Sequence, residues 1–343
     1  MLRPKILIVG CGAVGLTQGH ILSFGADITY LVRGGRTSAF KAPKKLYDYK
    51  ENVLRTFDHY RVIESPDEVA DEEFYCVFDT LDGHTARSEG GQATHKAVGD
   101  LIRDHPATFV LYDAMGIDIK DHYASTMDIS AERLVFCGSI IAHQPTRSIS
   151  IPASADASLI AQADMLFSYN TGNYGLTMLN TSPKLVKAFS DVYNQHPKLR
   201  VMIAPAFLES SGLTMVIMLQ LMAWSIDGWR TLPEFRSNTE VWNLMLRAQA
   251  ELLRLPRYGW TGRLMAMLVG SWVTMKLMNT PVEATLPVQM HEFNAFHHGS
   301  KVVKQDLMVL EEVIAEGERA KHKMVALREL VKRAEERASQ ANK

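Results

Sequence analysis

The hydrophobic pattern changes character along the chain. Residues 6–9 form an unbroken apolar run, the mark of a parallel strand buried on both faces. Three glycines follow within six positions, Gly10-Cys11-Gly12-Ala13-Val14-Gly15, and a helix is expected over about 13–22. "DITYLVR" (27–33), "FYCVFDTL" (74–81) and "ATFVLYDAMG" (107–116) read as further core strands, with "ATHKAVGDLIRDH" (93–105) as a crossover helix. "RLVFCGSIIAH" (133–143) and "MLFSYNTGNYGLTML" (165–179) read as later strands and a turn. This alternation predicts an α/β chain with an N-terminal Rossmann-type doubly wound sheet over residues 1–180. From 189 onward helix-period segments dominate and "LRVMIAP" (199–205) is the main strand signal, so residues 181–343 are expected to form a mostly α-helical C-terminal domain. The most apolar stretch, 212–229, is interrupted by Gln220, Ser225 and Asp227 and reads as a buried helix rather than a membrane span. The tail from Lys301 reads as two amphipathic helices broken at Gly317.

Composition narrows the picture. With 343 residues, 47% apolar and 22% charged residues and a net charge of -1, two globular domains are expected, with no nucleic-acid surface and no membrane partner. Cys11, Cys76 and Cys137 are far apart and lack zinc or CxxC spacing, which points to buried, reduced thiols. No leader pattern precedes the first strand, and a cytoplasmic location is expected. Ten of the 17 methionines fall between Met202 and Met290, as core or as the lining of an adaptable apolar pocket.

A glycine triplet between strand and helix is a dinucleotide fingerprint. Gly10 would make the tight turn, Gly12 would let the backbone approach a pyrophosphate, and Gly15 would allow the helix to pack closely. The second strand ends in Arg33-Gly34-Gly35-Arg36, with no acid in the run to accept a ribose 2′-hydroxyl. Guanidinium groups there suit the 2′-phosphate of NADP, although either arginine would also serve as a solvated turn residue. Asp79, Thr80, Asp82, Asp113 and Met115 fall at strand ends, where the nicotinamide half is expected, or are ordinary loop residues.

The GCGAVG loop, the "LVRGGR" and "LYDAMG" strand ends and the helical half with "GSKVVKQDLMVLEEVIAEG" resemble the ketopantoate reductase (2-dehydropantoate 2-reductase) family. The resemblance implies an NADPH-dependent reductase of a small 2-oxo acid, with a substrate cleft between its domains. Gly10, Gly12, Gly15 and Arg33 match the family's cofactor pattern, with Cys11, Ala13, Val14 and Arg36 beside them. The family's catalytic lysine, followed four and eight residues later by asparagines, does not match. It falls near Ser211 or Gly212, the asparagines near Val216 and Gln220, and no lysine lies between Lys198 and Lys276. A strand-end asparagine of the family stands here as Asp113, and its late Ser and Glu fall near Gln289 and Lys301.

Hydride transfer to a carbonyl builds oxyanion charge that a positioned donor must stabilise, so the missing lysine has to be replaced or the chemistry has changed. The densest cluster of candidates is "MHEFNAFHHGSK" (290–301), with His291, Asn294 and His298; His291 and His298, seven apart, are expected to share a helical face. Surface or capping histidines are the plainer reading, and metal-binding HExxH spacing is absent. Gln220 retains an amide, and Asp113 would act as base or acid, or simply as a turn residue. The expected function is an NADPH-dependent oxidoreductase acting on a carbonyl or imine of a small molecule other than ketopantoate, with a homodimer allowed. The alternative is a nucleotide-binding relative without hydride transfer, regulatory or recruited for a non-redox reaction.

Overall fold

A computed structural model describes residues 3–341. These form two compact units: residues 3–114, 118–147 and 151–206 belong to the first, and 115–117, 148–150 and 207–341 to the second.

The first unit is built on strands β1 (Lys5–Val9), β2 (Asp27–Leu31), β3 (Lys44–Asp48), β4 (Val53–Phe57), β5 (Arg61–Ile63), β6 (Cys76–Asp79), β7 (Phe109–Tyr112), β8 (Leu134–Ser139), β9 (Ile141–His143), β10 (Met165–Ser168), β11 (Tyr174–Leu179) and β12 (Arg200–Ala204). Its helices are α1 (Ala13–Leu22), α2 (Gly83–Arg87), α3 (Glu89–Ile102), α4 (Ile119–Met127), α5 (Ala157–Ile160) and α6 (Pro183–Tyr193). Eight strands make one sheet in the order β12-β11-β8-β7-β6-β1-β2-β5, parallel except where β11 meets β8. Side chains alternate across it: Ile6, Ile8, Phe78 and Leu111 enter one apolar cluster, while Leu7, Val9, Val77 and Val110 enter another. Both faces are thereby covered, which is why the strands read as unbroken apolar runs. The strand order reverses beside β1, so the loop after β1 opens at a topological switch point.

Two features depart from the sequence expectation. Strands β4-β3-β10-β9 form a separate small sheet that adds Leu46, Phe57, Ala142 and Phe167 to the core around α1. The first unit also continues past residue 180, because Val186, Phe189, Tyr193, Leu199 and Val201 belong to its core and β12 pairs with β11. "LRVMIAP" is therefore an edge strand of the large sheet and not part of the helical half.

The second unit contains α7 (Leu213–Ile226), α8 (Leu232–Ser237), α9 (Thr239–Leu253), α10 (Gly259–Leu268), α11 (Ser271–Ala284), α12 (Met290–Phe296), a π-helical turn (His297–Lys301), α13 (Val303–Arg319) and α14 (Val325–Ala341). Helix α7 is buried almost all round, and Met215, Met218, Met222, Met245 and Met278 are core side chains. The break in the tail lies after Arg319, with Lys321 at φ 53°, and Gly317 sits inside α13. That glycine serves close packing: a Cβ there would lie 2.4 Å from Met324 Cγ. Helices α10 and α11 leave Trp260, Met267 and Trp272 more than 70% exposed. Among the described residues, no helix is long and apolar enough to cross a membrane.

Candidate active site

The three glycines after β1 have different reasons to be glycine. Gly10 holds a φ of +95°, and a Cβ there would also meet Thr80 Oγ1 at 2.8 Å. A Cβ on Gly15 would lie 2.3 Å from the Gly10 carbonyl oxygen, so any larger residue pushes α1 off the loop. At Gly12 the backbone is extended and a Cβ would meet nothing within 4 Å. The open space is therefore at the N-terminus of α1, where Gly12 is the cap residue, no side chain caps the helix and the first turn carries no acid. First-turn N–H groups and the positive end of the helix dipole face that space, which suits phosphate. Ala13 and Val14 are half-buried in that turn, and Tyr30 OH donates to the Gly15 carbonyl at 3.0 Å. Cys11 points into the core, where burial pushes its thiol up to about 12, so it contributes backbone and no thiolate.

Thr80, at the end of β6, bonds back to Val9 through both its N–H and its hydroxyl, locking the two strand ends together. Asp79 is buried and paired with the buried His95, and its other oxygen accepts from Leu81 N. Asp82 caps α2 by accepting from Thr85 N and Thr85 Oγ1. These hydrogen bonds give both acids a part in shaping the loop. Asp113 differs: burial pushes its carboxyl up to about 7, hydrogen bonding from Ser139 opposes this, and the nearby Asp79 charge adds to it. The native state therefore binds this proton more tightly than the unfolded chain does. Its stabilising contribution is full below the unfolded value of 3.8 and is lost as pH rises toward 7. Replacement Asp113→Asn is expected to raise the unfolding temperature at pH 8 and to change it little at pH 4; equal shifts at both values would refute the assignment.

At the β2 end, Arg33 and Arg36 are exposed and paired with no carboxylate among the described residues. An acid that the local sequence does not reveal lies beside them. Parallel pairing of β2 with β5 aligns Leu31 with Ile63, so Glu64 emerges next to the arginine loop. Its carboxylate accepts from Gly35 N at 2.8 Å, Thr37 N at 2.9 Å and Thr37 Oγ1 at 2.6 Å, and the Arg36 N–H also points to it. The Thr37 hydroxyl and these amides hold Glu64 down to about 2.

In the second unit, the 290–301 cluster resolves into two parts. His298 lies on the π-helical turn and donates through Nδ1 to Asp306 Oδ2 at 2.7 Å. Asp306 is fully buried on α13 and His298 is largely buried. The carboxylate fixes the imidazole and leaves Nε2 as the nitrogen that can exchange a proton. Insertions of π character recur at functional sites, because the wider turn re-aims side chains. Lys301 Nζ lies 4.6 Å above the Phe296 ring, and desolvation there lowers its pKa. Glu292 is engaged by Ser150, which donates from its N–H at 2.6 Å and its hydroxyl at 2.9 Å. Asn294 is buried on α12. His291, on the preceding α-helical turn, has no hydrogen bond among the described residues, so of the two histidines only His298 gains an orienting partner. Gln220 is a core residue: it donates to Gln249, which in turn donates to the Val269 carbonyl and Thr274 Oγ1. Its amide nitrogen is engaged in that core network. Among the described residues, no group of three His, Cys, Asp or Glu side chains could hold a metal ion.

No family model and no curated protein matches the chain. Solved structures do match over nearly its whole length. The 2-dehydropantoate 2-reductase from Methylococcus capsulatus is 16% identical, with a TM-score of 0.65 and 98% of each chain covered. The dimeric ketopantoate reductase from Staphylococcus aureus is 11% identical, with a TM-score of 0.61 over 98% of this chain and 99% of that one. A D-mandelate dehydrogenase solved with NADH and anilino(oxo)acetate is 10% identical, with a TM-score of 0.63 over 99% of this chain and 100% of its own. Identities this low report architecture and nothing finer, and what they report is consistent: the chain carries the ketopantoate reductase fold.

Proposed function

We propose that the chain is an NADP-dependent oxidoreductase that reduces a carbonyl or imine of a small molecule other than ketopantoate. The observation that carries this reading is the division of labour in the glycine loop: Gly10 and Gly15 are required by the fold, whereas Gly12 faces open space at an uncapped helix N-terminus. A fold with no use for a phosphate has no need of glycine there. The cofactor fits this loop: N–H groups of the first turn of α1 would hold its pyrophosphate, and Arg33 and Arg36 its 2′-phosphate. When bound, the nicotinamide supplies the hydride. His298 Nε2, held by Asp306, would hand over the proton that the family's lysine otherwise provides. Asp113, its carboxyl pushed up to about 7 by burial, keeps a protonated fraction at neutral pH that would donate a hydrogen bond.

The substrate clause rests on what is missing. The stretch between Lys198 and Lys276 holds no lysine, and Gln220 is committed to the helical core. That same observation favours the second reading, a nucleotide-binding protein without hydride transfer. Titration of the tryptophans with NADPH and with NADH, followed by a screen of 2-oxo acids, ketones and imines for NADPH loss, separates the two. NADPH-selective binding with turnover is expected. Binding without turnover on any substrate favours the second reading, and ketopantoate turnover as efficient as that of larger substrates removes the substrate clause.

A homodimer belongs to the same proposal. The Staphylococcus aureus reductase is described as dimeric, and the exposed Trp260, Met267 and Trp272 offer an apolar face for a second copy. Sedimentation equilibrium should give twice the chain mass, and Trp260→Ser with Trp272→Ser should shift it toward one; a wild-type monomer at micromolar concentration would contradict this.

A further inference from the structure

We infer that Glu64 is a positioning residue for recognition of a 2′-phosphate, setting the shape of the loop that presents Arg33 and Arg36. The inference rests on the NADP reading and adds a residue to it.

A carboxylate at the end of the second strand ordinarily marks the opposite preference, because it accepts the ribose 2′-hydroxyl and repels a phosphate. Glu64 reaches that place from β5, and its hydrogen bonds show how its charge is used. One oxygen accepts from the N–H and the hydroxyl of Thr37 and the other from the N–H of Gly35, while the Arg36 N–H, bonded to the Arg33 carbonyl at 3.2 Å, also faces the carboxylate and lowers its pKa. Two carboxylate oxygens offer about four acceptor positions in all, and three of them are taken by the loop the group holds. Little capacity remains for a ribose hydroxyl. Gly35 takes a φ of +75°, which turns its own N–H and that of Thr37 inward to this one anion. The same turn leaves the guanidinium groups of Arg33 and Arg36 in solvent, with no carboxylate partner among the described residues. Glu64 is itself braced, since its own N–H and that of Ser65 donate to Glu68 Oε1 at 2.7 and 3.0 Å. The carboxylate thus neutralises the amides of the loop and spares its side-chain cations, an arrangement that fits a second anion of phosphate type.

The test is equilibrium binding of NADPH, NADH and adenosine 2′,5′-bisphosphate to the full chain and to Glu64→Gln and Thr37→Val. In Glu64→Gln an amide NH2 group faces backbone donors and the loop opens. Binding of NADPH and of the bisphosphate is then expected to weaken about 5- to 20-fold, with NADH within about 2-fold. Thr37→Val removes one donor without touching the charge and should weaken the same two ligands by about 2- to 5-fold. Glu64 is half-buried and its charge is held by the folded loop, so Glu64→Gln is expected to lower the unfolding temperature at pH 7; affinities are read well below that transition, and retained NADH binding is the folding control. Glu64→Gln binding NADPH more tightly and NADH less tightly would overturn the inference and make Glu64 a ribose acceptor. NADPH affinity unchanged in both variants would overturn it as well, leaving the NADP reading intact. Wild-type protein that binds neither dinucleotide would remove that reading and the inference together.

Discussion

Gly12→Asp is expected to abolish NADPH binding while leaving the protein as stable as wild type, whereas Gly15→Ala is expected to destabilise the fold itself. The two glycines lie three positions apart in one motif, yet their surroundings differ. At residue 12 the backbone has φ -81° and ψ -165°, which any residue adopts, and nothing lies within 4 Å of a Cβ. Aspartate is also a good helix cap, so it would gain a few tenths of a kcal/mol of helix stability or more. Its carboxylate would occupy the space proposed for the pyrophosphate, and a loss of at least about 100-fold in affinity, ~2.7 kcal/mol, is expected. At residue 15 the added methyl would lie 2.3 Å from the Gly10 carbonyl oxygen, a contact relieved only by moving α1 against β1. Overpacking of that kind costs about 1–3 kcal/mol, or several degrees in unfolding temperature. Thermal unfolding and tryptophan titration on the two variants read both effects. If Gly12→Asp retains wild-type affinity, phosphate does not bind at this helix end.

How far the sequence revealed these features depended on whether the cause was local. The β1 run, the glycine triplet and α1 are fixed by neighbours in sequence, and the expected helix 13–22 coincides with Ala13–Leu22. Strands β3, β4 and β5 left no comparable signal. They are short, partly exposed, and hold their places by pairing with partners as distant as Met165 and Leu166. Edge strand β12 was legible as a strand but not in its membership, because pairing with β11 is decided by register and not by the helical sequence around it. Glu64 shows the same limit at the level of the site. The dinucleotide pattern puts its acid at the end of β2, whereas the acid beside that end comes from β5, and only the sheet order brings them together. Asp306 was equally hidden: it sits in a helix whose charged residues read as a wet face, yet it is fully buried against His298.

The His298–Asp306 pair carries the catalytic half of the proposal, and His298→Gln is expected to lower kcat by about 100-fold or more, the usual worth of a positioned proton donor. NADPH affinity should stay within about twofold, because His298 is not part of the glycine loop proposed to hold the cofactor. Asp306→Asn keeps the volume but lets the imidazole take the wrong tautomer, so kcat should again fall by more than about tenfold with cofactor binding unchanged. Removing the buried carboxylate charge also alters a polar network, and unfolding temperature must be followed beside the rate. Lys301 is the rival donor, since desolvation lowers its pKa and its ammonium lies four residues beyond the start of the same π-helical turn. Lys301→Met provides the contrast. Loss of turnover there, with His298→Gln nearly as active as wild type, would transfer the role from the histidine to the lysine. Loss in His298→Gln and Asp306→Asn together, with Lys301→Met active, would establish that a carboxylate-oriented imidazole does the work for which the resembled family uses a lysine.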